Sequence, residues 1–252
     1  MADRPKLNGI QRIHVLSIPI DIVEPEQIGM VAEQMTKGEG THQIVLLRLW
    51  DFMRARMDRE YNRCVRQASL IIPVSRGIVS GARFLRRNLP HRYLPFDFVI
   101  QLLGALENRH RSVYVVGGQK NYLQNAEQNL RHTFPGLRFV GRYTGYFDND
   151  IERDILLAIK KASPDLLLMG PGLKARDKWF FRHRAQIVAA IALWSSECFD
   201  VFSERRKRPS RKSFQSGTEV IPELLRHPWR ILRGFVYLYY WILLLIHRIR
   251  KL

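Results

Sequence analysis

The feature that most constrains the fold of this chain is a short apolar run that ends on glycine and precedes a helical pattern. In residues 163–179, SPDLLLMGPGLKARDKW, the apolar run leads into Gly170-Pro171-Gly172. A second run, RSVYVVGGQ over residues 111–119, leads into Gly117-Gly118. Such runs are typical of buried parallel strands that are followed by helices. Ligands of open α/β sheets bind just beyond such strand ends, where helices begin. The alternative interpretation is a plain turn followed by a solvated basic helix.

The alternation of strand and helix patterns continues along most of the chain. Strands are predicted at residues 12–23, 43–49, 68–74, 111–118, 137–141, 165–170 and 186–193. Helices are predicted at residues 25–37, 51–67, 95–107, 122–134 and 151–162. Strands that alternate with helices of about twelve residues predict an α/β fold with a Rossmann-like, mostly parallel sheet and helices on both faces.

The charge of the chain predicts a polyanionic partner. Lys and Arg number 41 against 23 Asp and Glu, which gives a formal net charge of +18. Nucleic acid, anionic lipid headgroups and charged sugar nucleotides are the candidate classes. No aromatic platform or recognition module accompanies the basic residues, so we do not expect a nucleic-acid partner. The two cysteines, Cys64 and Cys198, predict neither a disulfide framework nor a metal site.

Much of the charge lies in the C-terminal part of the chain. Residues 205–252 hold 12 basic and two acidic residues, and therefore 10 of the 18 net charges. We therefore predict a Rossmann-like domain at residues 1–203 and a basic appendage at residues 204–252. The N-terminal residues lack the apolar core of a signal peptide, which predicts a cytosolic location for the domain.

The last segment of the appendage combines a short apolar stretch with basic flanks. Residues 235–246, FVYLYYWILLLI, are apolar on all sides of a helix. Twelve helical residues reach about 18 Å, whereas a bilayer core of about 30 Å needs about 20. The basic frame and the aromatic residues instead predict a monotopic anchor, with residues 229–252 on an anionic membrane surface. A buried helix of a homo-oligomer is the alternative.

Many short motifs follow one another in order over residues 12–233. The motifs in the domain are Gly77 with Gly81-Ala82-Arg83-Phe84, Arg92 before Phe96-Asp97-Phe98, Gly117-Gly118, Pro135-Gly136-Leu137, Gly145-Tyr146-Phe147, Gly170-Pro171-Gly172, Asp177-Lys178-Trp179 and Phe199-Asp200. Those in the appendage are Lys207-Arg208, Gly217, Glu219, Leu224-Leu225, Pro228 and Arg230. In their order and spacing, these motifs resemble the bacterial WecG/TagA/CpsF glycosyltransferases.

The resemblance implies a membrane-associated enzyme on the cytoplasmic face of the inner membrane. It would transfer N-acetylmannosamine or its uronic acid from a UDP-sugar donor to a polyprenyl-diphosphate-linked acceptor, with no obligatory metal ion or other cofactor. Asp97 is the candidate catalytic carboxylate. The candidate substrate-binding residues are Gly117, Gly118, Gly170, Gly172, Arg176, Asp177, Arg208 and Arg230.

The sequence also departs from the pattern of that family. Val74 stands where the family carries its proposed catalytic aspartate, and Leu46 and Arg48 stand at its Thr and Asn positions. Arg176 stands at a glutamine position. Two hypotheses follow: arginines such as Arg48, Arg76 and Arg176 stabilise the charge of a departing UDP, or the chain is a non-catalytic scaffold that binds sugar nucleotides or lipid phosphates.

Overall fold

The computed structural model describes residues 7–208 and 233–250 and confirms the predicted fold class. A two-stranded hairpin stands beside a six-stranded sheet in which every pairing is parallel. The strand order in this sheet is β4 (Leu70–Pro73), β3 (His42–Leu47), β8 (Ile191–Trp194), β7 (Leu166–Met169), β5 (Ser112–Val116) and β6 (Arg138–Tyr143). The candidate residue Arg230 lies outside the described residues.

The strands of the structure are β1 Gln11–Val15, β2 Ile18–Ile22, β3 His42–Leu47, β4 Leu70–Pro73, β5 Ser112–Val116, β6 Arg138–Tyr143, β7 Leu166–Met169 and β8 Ile191–Trp194. Its helices are α1 Ile28–Lys37, α2 Leu49–Met57, α3 Arg59–Gln67, α4 Arg76–Phe84, α5 Pro95–Glu107, α6 Lys120–Thr133, α7 Asn149–Ala162, α8 Asp177–His183, α9 Ser196–Phe202 and α10 Arg233–Ile249. Strands β4, β5 and β7 are buried along their whole length, as their continuous apolar sequences predict.

Helices cover both faces of the six-stranded sheet. Apolar side chains of α1, α5, α6 and α9 form one core cluster with the strand residues of the first face. On the second face, the hairpin, α2, α3, α4 and α10 cover β3 and β4. Helices α7 and α8 cover β5, β7 and β8 on that same face. The helices that follow the adjacent strands β3 and β8 therefore lie on opposite faces.

Two predicted elements are each divided in the structure. The predicted strand at residues 12–23 is a hairpin, because Leu16 and Ser17 adopt left-handed backbone conformations with φ of 46° and 69°. The predicted helix at residues 51–67 breaks at Asp58, whose carboxylate accepts from the N–H groups of Glu60 and Tyr61 and begins α3. This is the usual role of an N-cap aspartate.

Helix α10 packs on the domain along one stripe and exposes the rest of its apolar surface. Tyr240 and Leu244 are 0% exposed, and the Tyr240 ring meets Phe52 of α2 edge-on with centroids 5.6 Å apart. A larger apolar set faces outward: Phe235, Tyr237, Leu238, Tyr239, Trp241, Ile242, Leu245, Ile246 and Ile249. No helix in the described ranges is long and apolar enough to cross a bilayer.

The contact between Tyr240 and Gly81 holds α10 against α4. A Cβ at Gly81 would overlap the Tyr240 hydroxyl and lie 2.9 Å from the ring carbon Cζ. That hydroxyl is buried and has no hydrogen-bond partner among the described residues. The site at Gly81 therefore admits no side chain while α10 is docked.

We predict that Gly81→Ala lowers the free energy of unfolding by about 1–3 kcal/mol, because overpacking outweighs the gain in helix propensity. Chemical denaturation of wild type and variant measures this difference. The control is Gly104→Ala in α5, where a Cβ would meet no atom within 4 Å and where we expect stabilisation of about 1 kcal/mol. Tyr240→Phe should relieve part of the Gly81→Ala defect; equal stabilisation by both alanines would contradict the docking of α10.

Candidate functional site

Charged residues follow the carboxyl ends of four adjacent strands, where an open α/β sheet forms its ligand crevice. Arg76 follows β4, Arg48 follows β3, Glu197 follows β8, and Arg176 follows β7. The crevice opens between β3 and β8, because α2 and α9 leave these neighbouring strands toward opposite faces. Such a topological switch point is the usual ligand site of an open α/β sheet.

Arg48 and Glu197 face each other across this crevice. The Nη2 atom of Arg48 lies 3.5 Å from the Oε2 atom of Glu197. Arg48 is the N-cap of α2, and Glu197 lies in the first turn of α9. The Arg48 side chain is about half exposed, at 48%, so it is open to an anion at the strand ends.

Arg176 is held at the same edge by two contacts. Its Nη1 atom lies 3.9 Å from the Asp51 carboxylate of α2. Its guanidinium lies over the ring of Trp194, the last residue of β8, 5.2 Å from the centroid. The indole N–H of Trp194 donates to the Gly170 carbonyl at 3.0 Å. The backbone of Arg176 is left-handed, with φ of 55°, a conformation that costs energy outside glycine.

The two predicted glycine turns lie side by side, together with a third turn at Gly145. A Cβ on Gly117 would lie 2.6 Å from the Cα of Gly170, so the ends of β5 and β7 touch backbone to backbone. The Gly145 N–H donates to the Gly118 carbonyl at 2.8 Å. The Tyr146 N–H donates to the Gly172 carbonyl at 3.2 Å. Glycine is needed in these turns because the strands approach too closely for a side chain.

Three of the candidate substrate-binding glycines form backbone hydrogen bonds within this packing. The N–H groups of Gly117, Gly118 and Gly170 donate to the carbonyls of Tyr143, Pro171 and Val116 respectively. All three glycines are buried, and the Phe199 ring of α9 packs against Gly170. In this structure these three N–H groups hold the glycine turns together. Gly172 is half-buried and lies at the edge of the crevice.

Asp177 is likewise not a surface ligand in this structure. Its side chain is turned into the space between α2, α3 and α8, and the residue is only 8% exposed. Burial raises the pKa of the Asp177 carboxyl to about 7, and the neighbouring Asp51 carboxylate also raises it. Arg176 and a hydrogen bond from the Tyr61 hydroxyl act in the opposite direction. Arg176, next to it in the chain, is the exposed member of the pair.

Asp97 and Arg208, predicted as separate site residues, form an ion pair. The Nη2 atom of Arg208 donates to the Oδ1 atom of Asp97 at 2.6 Å. Asp97 lies in the first turn of α5, and the Arg208 guanidinium stacks over Phe96 at 5.6 Å. Because Phe96 meets Phe202 of α9 with centroids 5.4 Å apart, α9 lies between this pair and the glycine turns.

The end of β4 contacts the segment that precedes α5 and Asp97, where the N–H of Tyr93 donates to the Pro73 carbonyl at 3.4 Å. Arg92 donates from its Nε atom to the Val74 carbonyl at 3.1 Å. The Val74 side chain is 5% exposed and belongs to the core cluster that contains Phe96 and Tyr93. The position at which the family pattern has an aspartate is therefore filled here by a core residue.

Sequence reasoning missed several members of the site. Glu197, Asp51 and Trp194 gave no signal, since their partners Arg48 and Arg176 are distant in sequence.

An Asp-x-Asp sequence, Asp148-Asn149-Asp150, begins α7, where Asp148 is the N-cap. Among the residues that the structure describes, no group of three or more His, Cys, Asp or Glu side chains is placed to hold a metal ion.

Comparison with known proteins gives two matches. The sequence model of the "Glycosyl transferase WecG/TagA/CpsF family" matches residues 13–252 of this chain. The chain is also similar to the "N-acetylglucosaminyldiphosphoundecaprenol N-acetyl-beta-D-mannosaminyltransferase" of Bacillus spizizenii strain W23. The two sequences are 24% identical over 178 residues, which cover 70% of this chain and 68% of that relative.

The raised pKa of Asp177 makes a prediction about stability and pH. In the unfolded chain this carboxyl loses its proton near pH 3.9, whereas in the folded chain it keeps the proton up to about pH 7. Between these values the folded state binds more protons, so stability falls as pH rises. We expect Asp177→Asn, which cannot ionise, to be more stable than wild type at pH 8 by at least about 1 kcal/mol.

Urea unfolding from pH 4.5 to pH 8 measures this difference, which should shrink toward the acidic end. Asp58→Asn is the control of opposite sign, because the N–H of Tyr61 donates to the Asp58 carboxylate and lowers its pKa. That variant should be less stable than wild type at pH 8. Parallel pH profiles for wild type and Asp177→Asn would contradict the buried, protonated carboxyl.

Proposed function

The chain belongs to the WecG/TagA/CpsF family of glycosyl transferases, and from this premise we propose that it transfers an amino sugar from a UDP-sugar to a polyprenyl-diphosphate-linked acceptor. The sugar would be N-acetylmannosamine or its uronic acid. The name of the Bacillus spizizenii relative supports both the mannosaminyl group and the lipid-diphosphate acceptor. The crevice supports the anionic donor.

The observation that carries this proposal is the set of arginines at adjacent strand ends. Arg76, Arg48 and Arg176 follow the carboxyl ends of β4, β3 and β7, with Arg76 as the first residue of α4 and Arg48 as the N-cap of α2. In the transfer, the bond between the sugar carbon and the diphosphate oxygen breaks, and the diphosphate keeps the electron pair. Guanidinium groups and helix N-termini stabilise the negative charge that develops on that oxygen.

Arg176 is the arginine that the fold positions most strongly. Its guanidinium forms an ion pair with the Asp51 carboxylate of α2 and also stacks over the Trp194 ring. A guanidinium that is already oriented loses little freedom when a diphosphate binds. We therefore assign Arg176 to the donor diphosphate, with Arg48 on the other side of the crevice.

Asp97 is the carboxylate that we assign to the acceptor hydroxyl. In the transfer, this hydroxyl oxygen forms the new bond to the sugar carbon and gives its proton to a base. The ion pair with Arg208 orients the Asp97 carboxylate, and Tyr93, four residues earlier, donates its N–H to the Pro73 carbonyl at the end of β4. Arg208 lies within the basic stretch at residues 205–212 of the appendage, and we also assign it to the phosphates of the acceptor.

The exposed apolar face of α10 supports a location of this reaction at a membrane. Aromatic and aliphatic side chains cover this face, with His247, Arg248 and Arg250 at its C-terminal end. Such a helix lies in the interface of an anionic leaflet rather than across it. We propose peripheral association with the cytoplasmic face of the inner membrane, where the lipid-linked acceptor is held in the same plane.

A non-catalytic scaffold is the second candidate, and Val74 is the observation that favours it. A buried valine cannot accept a proton, and Asp97 already has a cationic partner. A scaffold would bind UDP yet release none from a UDP-sugar in the presence of acceptor. Turnover by the wild-type chain on anionic vesicles excludes this candidate.

We predict that Arg176→Ala lowers kcat for UDP release by about 10²-fold or more, because it removes charge stabilisation at the leaving group. Initial rates with UDP-N-acetylmannosamine and a polyprenyl-diphosphate-linked N-acetylglucosamine acceptor measure this effect. Arg184→Ala is the matched control, since Arg184 also stacks on an aromatic ring, 4.1 Å from the Phe181 centroid, beyond the other end of α8. Equal rates for the two variants would remove Arg176 from the site.

We predict that Asp97→Asn lowers kcat by about 10²- to 10⁴-fold with a small effect on UDP affinity, as loss of a general base does. The same rate assay, together with UDP titration, measures both quantities. Glu33→Gln is the matched control. The Glu33 carboxylate forms an ion pair with Arg109, with Nη2 and Oε2 2.9 Å apart, and Arg109 lies just beyond the C-terminal end of α5. If Asp97→Asn changed stability but left kcat unaltered, its role would be structural alone.

A further inference from the structure

A second basic cavity lies away from the crevice, between the hairpin and the C-terminal end of α4. Its volume is about 310 Å³, and its lining residues are Gln11, Arg12, Ile13, His14, Arg86, Arg87 and Asn88. This volume is at the lower end of the range for small-molecule sites. Helix α4, which has nine residues and is about 13 Å long, separates this cavity from the strand ends.

The charge of this cavity is positive and largely unneutralised. Arg12 is paired with the buried Asp21 carboxylate. Arg86 and Arg87 are exposed, and within the described residues neither has a carboxylate partner. The lining that the structure describes contains no acidic side chain. Two guanidinium groups are therefore available to a phosphate, which Arg binds with good geometry.

The cavity adjoins the side of α10 that carries exposed apolar residues. Phe84, the last residue of α4, meets Trp241 edge-on with centroids 5.6 Å apart. Arg248 of α10 lies over the Phe84 ring, 4.8 Å from its centroid. Arg86 and Arg87 follow Phe84 by two and three residues. A phosphate group between these arginines would therefore lie beside a surface suited to acyl chains.

We infer that this cavity binds the phosphate of an anionic phospholipid headgroup, such as that of phosphatidylglycerol, and so fixes how the chain lies on the membrane. The inference rests on the proposed membrane association of α10. It adds a specific headgroup site to that apolar contact, and the site is separate from the crevice proposed for the sugar nucleotide. Charged groups just above an interfacial apolar face meet the headgroup layer.

His14 provides a direct reporter of binding. Burial lowers its pKa, and the positive charges of Arg12, Arg66 and Arg87 lower it further, while Asp21 opposes them. A phosphate bound among these arginines would offset their charge and raise the pKa of His14. NMR titration of the His14 ring in the full chain, with and without dihexanoylphosphatidylglycerol below its micelle concentration, measures this change.

Vesicle flotation measures the effect on membrane binding. We expect Arg86→Ala/Arg87→Ala to weaken binding to vesicles of phosphatidylcholine with phosphatidylglycerol by about tenfold or more. Arg86→Lys/Arg87→Lys should retain most of the binding. The matched control is Lys160→Ala/Lys161→Ala, which removes the same charge from the exposed last turn of α7. Helix α7 belongs to a different core cluster from α4 and α10. This control should have a smaller effect on vesicle binding.

The outcomes separate this inference from the proposed membrane association. No wild-type binding to any vesicle would overturn the association, whereas a rise in the His14 pKa with the soluble lipid would still support the cavity. Vesicle binding that is equal in Arg86→Ala/Arg87→Ala and wild type would overturn the cavity alone. If inorganic phosphate raised the His14 pKa as much as the lipid, the ligand would be free phosphate. Selective loss of single-stranded RNA binding in the same variant would identify a nucleic-acid site and overturn the lipid assignment.

Discussion

The close contact between glycine turns at the ends of β5 and β7 is the constraint on which the candidate site depends. Gly117 and Gly170 touch through their backbones, and Phe199 of α9 packs on the surface that Gly170 leaves free. This packing fixes α9 and therefore places Glu197 opposite Arg48. The glycines thus position the crevice from beneath, and the side chains on its rim carry the charge that a ligand would meet.

The rim of the crevice carries exposed arginines, and more deeply buried carboxylates lie beneath them. Asp51 and Glu197 hold Arg176 and Arg48, which leaves the more exposed guanidinium groups turned toward solvent at the strand ends. The buried Asp177 carboxyl has a raised pKa, so near neutral pH it adds less negative charge beneath this rim than an ordinary aspartate would. This arrangement suits a dianionic leaving group and provides charge stabilisation by side chains.

Most of the sheet could be predicted because its strands are continuous apolar runs that end at glycine or proline, as in Leu166–Met169. Helix α4 was missed because Gly77 and Gly81 lower its helix propensity; these glycines admit Leu49, Tyr237 and Tyr240. The glycine turns were located correctly, but their contacts with one another were not predicted. Their amides are satisfied by partners such as Pro171 and Val116, and contacts between residues so distant in sequence leave no local pattern.

Hydrogen–deuterium exchange with and without UDP tests the central claim most directly, namely that the nucleotide diphosphate binds between β3 and β8. The account predicts slower exchange on UDP addition in the first turns of α2 and α9 and in residues 172–177, with little change in the hairpin or α10. Protection confined to other regions, or none at a UDP concentration that saturates binding, would contradict it.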